Sequence, residues 1–182
     1  MRVKQLIRQL RGLINLGGGT SVEDVAGGDS VVTTPRVKRV KVGRQDVLEA
    51  IESGLDVSGG KGGVTVLPLD SHYWVPEEQT FHELMNLYRD EIGRNIYQGD
   101  AWDCEEYSIA MMNMFRNQHG INSVGFVFDG DSQHAYNVVV HSTTDGLRAT
   151  LVEPNFFSLD GGEVDPTDSD GKYSVGTSTI LL

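Results

Sequence analysis

The sequence predicts an α+β domain, and three observations carry the prediction. Apolar residues recur at helical spacing from Phe81 to Ile96 and again after Asp103. Three strand-length apolar runs follow between residues 122 and 153, and short turns containing Gly130 and Asp145-Gly146 separate those runs. The helix opening at Asp103 is therefore expected to pack on an antiparallel β-meander, with an extended arm on its N-terminal side. A chain of 182 residues, 38% of them apolar, suffices for one core of ordinary size plus a tail.

Taken in order, Val3, Leu6, Ile7, Leu10, Leu13 and Ile14 lie at helical spacing with Arg2, Lys4, Arg8 and Arg11 between them. They predict a short basic amphipathic helix that stops at Gly17-Gly18-Gly19. Its face suits a partner's groove, its own domain or a membrane surface, and the pattern does not choose among them. Residues 17–45 are rich in Gly, Ser, Thr and Val. Within them Arg36 to Val42 alternates charge with valine, as an edge strand protected by charge does. Asp46 to Leu55 reads as a short helix. Residues 1–63 are thus expected to be a basic helix and Gly-rich arm, and residues 64–182 the folded domain.

The cluster Gly59 to Val64 resembles a phosphate loop only superficially, because Lys61 is followed by Gly62 where Ser or Thr is needed. Pro76, Glu77 and Glu78 suit a helix start, and Phe81, Leu84, Met85, Tyr88, Ile92 and Ile96 form its buried face. Asp103 caps the next helix and Glu106 completes a capping box, with Tyr107, Ala110, Met111, Met114 and Phe115 turned inward as far as Gly120. The strands are expected at Asn122–Asp129, His134–His141 and Leu147–Glu153. Beyond them Asp168 to Gly171 forms a polar turn, since Pro166 and Thr177 occupy the positions where a calcium loop needs ligands. A terminal strand is expected near Tyr173–Leu182.

The net charge of −11 argues against nucleic acid as a main partner. Its distribution is uneven. Up to Asp46, nine basic residues face four acidic ones, which makes that segment +5 and the rest −16. A basic arm on an acidic body suits docking on other subunits, or simply a solvated tail. The ten Arg against five Lys, with abundant Asp and Glu, resemble proteins of salt-loving organisms. One cysteine allows no intrachain disulfide. Charges interrupt the apolar residues of 1–15, and no run approaches about 18 apolar residues, so neither a signal peptide nor a membrane span is expected.

Chemistry concentrates at three residues. Cys104 sits in the first turn of its helix, where unpaired backbone N–H groups and the helix dipole favour thiolate, although Glu105 and Glu106 oppose that unless they point to solvent. His134 begins a strand that faces the helix start, and Glu153 ends the neighbouring antiparallel strand, which places it beside His134. Nucleophile, base and orienting carboxylate then follow in the order that acyl transfer uses. His141 lies seven residues from His134 and faces the other side, which argues against a metal site using both.

The runs DCEEYSIAMMNMF, HAYNVVV and LVEP resemble the transglutaminase-like cysteine peptidase superfamily of papain-like fold. Together with Leu69–Tyr73, INSVGFVFD and LVEPN, they are similar to small transglutaminase-like proteins encoded by tailed viruses of bacteria and archaea, from about Asp70 to Asn155. The resemblance implies Cys104 as nucleophile, His134 as base and Glu153 as orienting acid, where the family usually has Asp. It implies an oxyanion held by the Cys104 N–H and a donor near Trp102 or Gln98. By its place on the strand, Asn137 is a further candidate for hydrogen bonding near the site, with packing as its simpler role. The implied activity is amide hydrolysis or acyl transfer on an amide or peptide substrate, without metal or cofactor. The alternative is a structural virion protein of capsid or tail that keeps the fold without catalysis and uses its arm to bind neighbouring subunits. Either places the chain in a virion or in the cytoplasm of a host cell.

Overall fold

The alternation of valine with basic residues builds strand β1, Arg39–Gly43, which pairs antiparallel with β3, His72–Pro76, in the register Arg39↔Pro76 to Gly43↔His72. The charge guard is visible at Arg39, whose guanidinium lies 4.7 Å from the ring centre of the half-exposed Trp74. The structure is a computed structural model that describes residues 37–55, 63–93, 95, 98–99, 101–156, 161–164, 173, 175 and 177–182. All of them belong to one unit, Pro35–Leu182. The helix expected at 1–15, the Gly-rich stretch after it, most of the Gly59–Val64 cluster and the turn at 168–171 lie outside the described residues.

Helix α1, Arg44–Gly54, starts where the Asp46 carboxylate accepts the Gly43 N–H at 2.8 Å. It buries Val47, Ala50 and Ile51. The sequence reading placed β1 and α1 in the arm of residues 1–63, yet these three side chains join Tyr73, Val75, Val138 and Leu151 in one apolar cluster. Each fully buried side chain of this kind contributes roughly 1.5–3 kcal/mol.

The main sheet has six strands in the order β2-β8-β4-β5-β6-β7. These are β2 Thr65–Leu67, β4 Val124–Asp129, β5 His134–Thr143, β6 Gly146–Glu153, β7 Gly162–Val164 and β8 Ser178–Leu181. The expected meander is present as the antiparallel run β4-β5-β6. The sheet is larger than that run, because β8 pairs with β4, β2 joins β8 in parallel, and β7 extends the other edge. Gly125 lets the strands close up, since a Cβ there would come within 2.9 Å of Val138 Cγ1.

Helix α1 covers one face of this sheet. Helices α2, Glu78–Glu91, and α3, Cys104–Asn113, cover the other. Helix α3 passes directly into a π-helical turn, Met114–Gln118, and the path reverses at Gly120, whose φ is +63°. The α+β class expected from the sequence holds, with helices on both faces and a mixed sheet in place of a simple meander.

Candidate functional site

Helix α3 is held at its start by the expected capping box. The Glu105 N–H donates to Asp103 Oδ1 at 3.3 Å, and the Asp103 N–H donates to Glu106 Oε2 at 3.2 Å. One turn on, the buried Asn137 of β5 donates from Nδ2 to the Ser108 carbonyl of α3 and to the Gly125 carbonyl of β4, at 3.1 and 3.0 Å. Asn137 therefore fastens the helix to the sheet and fixes where Cys104 emerges. Its side chain lies on the face that α3 covers, three residues from His134, so it belongs to the support of the site and not to a pocket beside the imidazole.

His134 opens β5 directly after a tight turn. Asp129 Oδ1 accepts the N–H groups of Asp131 and Ser132, and Gln133 takes a φ of +53°, a left-handed conformation that few non-glycine residues adopt. Asp129 and His134 are cross-strand partners that close this hairpin. The imidazole Nε2–H then donates to Glu153 Oε2 at 2.8 Å. An ionised carboxylate only accepts, so Nε2 carries a proton and Nδ1 is the basic atom of the neutral ring.

Glu153 is fully buried and its oxygens are well supplied with donors. Oε1 accepts the Asn155 N–H at 2.9 Å, and Oε2 accepts the Tyr173 hydroxyl at 2.9 Å besides the imidazole. Three donors replace the water that burial removes. The pairing of His134 with Glu153 is the one that the strand order predicts. Tyr173 was not foreseen as a site residue, because it reaches the site from the connection between β7 and β8, with no local pattern linking it to Glu153.

Cys104 departs from expectation in its protonation. The thiol donates to Glu105 Oε2 at 3.1 Å, and burial, this bond and the nearby carboxylates push it up from 9.0 to about 12. The Ala135 N–H acts in the opposite direction on the sulfur, which places the sulfur beside the first residues of β5. Glu105 is raised as well, first by burial and then by Asp103. Burial of the sulfur first, and Glu105 turned toward it and not toward solvent second, thus favour the thiol over the thiolate at this helix start. Among the described residues, Asp103, Cys104 and Glu105 are the one group of three or more whose metal-ligating atoms lie within 4.8 Å of one another.

The two candidates for an oxyanion donor sit together in a small turn, where the Gln98 N–H donates to the Trp102 carbonyl at 2.8 Å and the Trp102 N–H donates back at 2.7 Å. Gln98 is exposed, and the Trp102 ring meets Tyr107 edge-on at 5.7 Å. Their backbone amides are spent on each other. His141 lies on the far face as expected, stacked on Phe81 at 4.5 Å and bonded through Nε2 to Thr150 Oγ1 at 3.0 Å.

No family model matches the chain, and none of the curated proteins does. Among solved structures it is similar to one described as "PSL1a-E64 complex", with a TM-score of 0.56 and 13% identity over 78% of this chain and 51% of that one. It is also similar to the Polyporus squamosus lectin bound to the human-type influenza-binding epitope Neu5Aca2-6Galb1-4GlcNAc, with a TM-score of 0.52 and 13% identity over 78% of this chain and 49% of that one. The chain spans about half the length of these neighbours, and likeness at this identity concerns the fold alone.

These findings correct the family expected from the sequence. The second neighbour is a lectin structure, neither is described as a transglutaminase-like or papain-like peptidase or as a virion protein of a tailed virus, and no family model or curated protein matches. The expected amide hydrolase or acyl transferase, its viral alternative and the attribution to salt-loving organisms are set aside with it. The runs around Cys104, His134 and Glu153 suggested that family through a capped helix start and hairpin ends, local features that do not by themselves fix a family. Of the expectations about partners, one stands at a coarse level: no helix of the described residues is long and apolar enough to cross a membrane.

Proposed function

We propose that this domain carries a reactive-thiol site at the end of its sheet, where Cys104 bonds covalently to an electrophilic carbon of a small ligand. His134 takes the thiol proton, and Glu153 fixes the imidazole in the orientation that this transfer needs. The observation that carries the reading is the 2.8 Å bond from His134 to the fully buried Glu153, one residue from the amide that reaches the sulfur. A buried carboxylate spent on orienting one imidazole, on the strand whose next residue meets a lone thiol, is an arrangement that suits an activated nucleophile. The proposal assigns no amide hydrolysis or acyl transfer to the chain.

In the proposed step the S–H proton passes to His134 Nδ1 and the sulfur lone pair forms a C–S bond. The bond from that carbon to its leaving oxygen breaks, and the oxygen takes the proton from the imidazolium. The ligand must also displace the sulfur from Glu105, so reaction is slow until it binds. One neighbour is a complex with E64. E64 is an epoxide, which a thiolate opens by this route, and that supports the same chemistry here.

The test is incubation of the full chain with E64, with adduct mass and rate followed by mass spectrometry. One adduct on Cys104 is expected in the wild type and none in Cys104→Ser, with a rate about tenfold lower or less in His134→Ala. An absent adduct, or an unchanged rate in His134→Ala, would sink the reading.

A second reading, carbohydrate binding, is favoured by the other neighbour, whose bound epitope is a sialylated trisaccharide. Calorimetric titration with Neu5Aca2-6Galb1-4GlcNAc decides it. A Kd near or below about 1 mM supports sugar recognition, and no heat at ten times that concentration removes it.

A further inference from the structure

Glu153 Oε2 receives two donors, the His134 Nε2–H at 2.8 Å and the Tyr173 hydroxyl at 2.9 Å. The Tyr173 ring also meets the His134 ring edge-on, with centroids 5.8 Å apart at 62°, and meets Tyr136 at 5.4 Å and 83°. Tyr136 lies tilted against His134 at 5.8 Å. The imidazole is thus bounded by two tyrosine rings on its flanks and by one shared carboxylate oxygen, and its side chain is only 12% exposed.

We infer that Tyr173 is a positioning residue of the proposed thiol site, setting both the orientation of His134 and the share of negative charge that Glu153 offers it. The inference rests on the reactive-thiol reading. A hydroxyl on Oε2 draws electron density from the oxygen that accepts the imidazole N–H. Removing it leaves that oxygen to His134 alone and stabilises imidazolium relative to imidazole. It also opens one side of the ring, which then loses its fixed angle. The titratable groups packed around His134 are Glu153 from β6, Tyr173 from the β7–β8 connection, Tyr136 from β5 and its cross-strand partner Asp129 from β4.

The experiment follows the rate of E64 addition to Cys104 across pH for the full chain, comparing wild type, Tyr173→Phe and His134→Ala. It is paired with the NMR resonance of the His134 Nε2–H. Tyr173→Phe is expected to lower the rate at pH 7 about threefold or more, to move the acid limb of the profile to higher pH, and to shift that resonance. Replacing Tyr173 by 3-fluorotyrosine, which keeps ring and hydroxyl, is expected to restore the wild-type rate to within about twofold even if the phenylalanine variant folds poorly. A Tyr173→Phe profile superimposable on wild type, while His134→Ala loses the reaction, overturns the role of Tyr173 and leaves the site standing. Wild-type labelling in His134→Ala overturns the site itself, and the inference with it.

Discussion

At Cys104 two effects compete and their magnitudes decide between them. A helix N-terminus stabilises negative charge by about 0.3–1 kcal/mol at an exposed position, too little to lower a thiol by even one pH unit. Burial and the Glu105 carboxylate at 3.1 Å push the same thiol up to about 12. Glu105→Gln removes the opposing charge, so alkylation of Cys104 by iodoacetamide at pH 8 is expected to rise about tenfold. An unchanged rate would show that burial alone controls the sulfur. The sign for stability follows from the raised thiol. Folding binds its proton more tightly, so the contribution is complete below pH 9 and is lost as pH rises through about 12. Cys104→Ser should therefore show a shallower alkaline fall in Tm than the wild type. The sequence made the helix-start place of Cys104 and the pairing of His134 with Glu153 legible, because a capped helix start and hairpin ends are local patterns. The burial of the sulfur and the rotamer of Glu105 are not, and together they oppose the charge expected there.

Among the elements, β5 does the most, because alternate residues on one of its faces hold both helices packed there. Asn137 holds α3, and His141 stacks on Phe81 of α2. His141 is 2% exposed, and burial, with Arg148 and His82 nearby, pulls its pKa down from 6.5 to about 4. The unfolded chain binds this proton more readily. The stability His141 provides is therefore complete above pH 6.5 and is lost as pH falls through about 4. The slope of unfolding free energy against pH between those values, measured in urea, is expected to flatten in His141→Gln; an equal slope would assign the acid sensitivity elsewhere. Helices α2 and α3 and the run β4-β5-β6 could be read from periodicity because each is long and strongly patterned. Strand β7, at three residues, gives no such signal, and β3 ends in Pro76, which demotes a strand reading.

For the whole molecule, pairing between distant segments determines the architecture, and this was the least legible part of the sequence. Helical and strand periods identify β8 as a strand near the end but not as the partner of both β2 and β4. Deleting residues 178–182 removes two ladders at once, and the Leu69 N–H also loses the Leu182 carbonyl that it reaches at 3.1 Å. Such a truncation is expected to abolish the cooperative thermal transition. A truncated chain that melts near the wild-type Tm would show the other elements to be self-sufficient.

The insertion of β8 between β2 and β4 also has a consequence in time. During synthesis the ribosome releases β2 and β4 well before β8, so two open strand edges wait on the nascent chain for a segment that does not yet exist. Chain closure between Leu67 and Leu181 spans more than about a hundred residues, an entropic cost of the kind that slows folding. The interval before closure is when these edges are most open to pairing with other chains or to capture by chaperones.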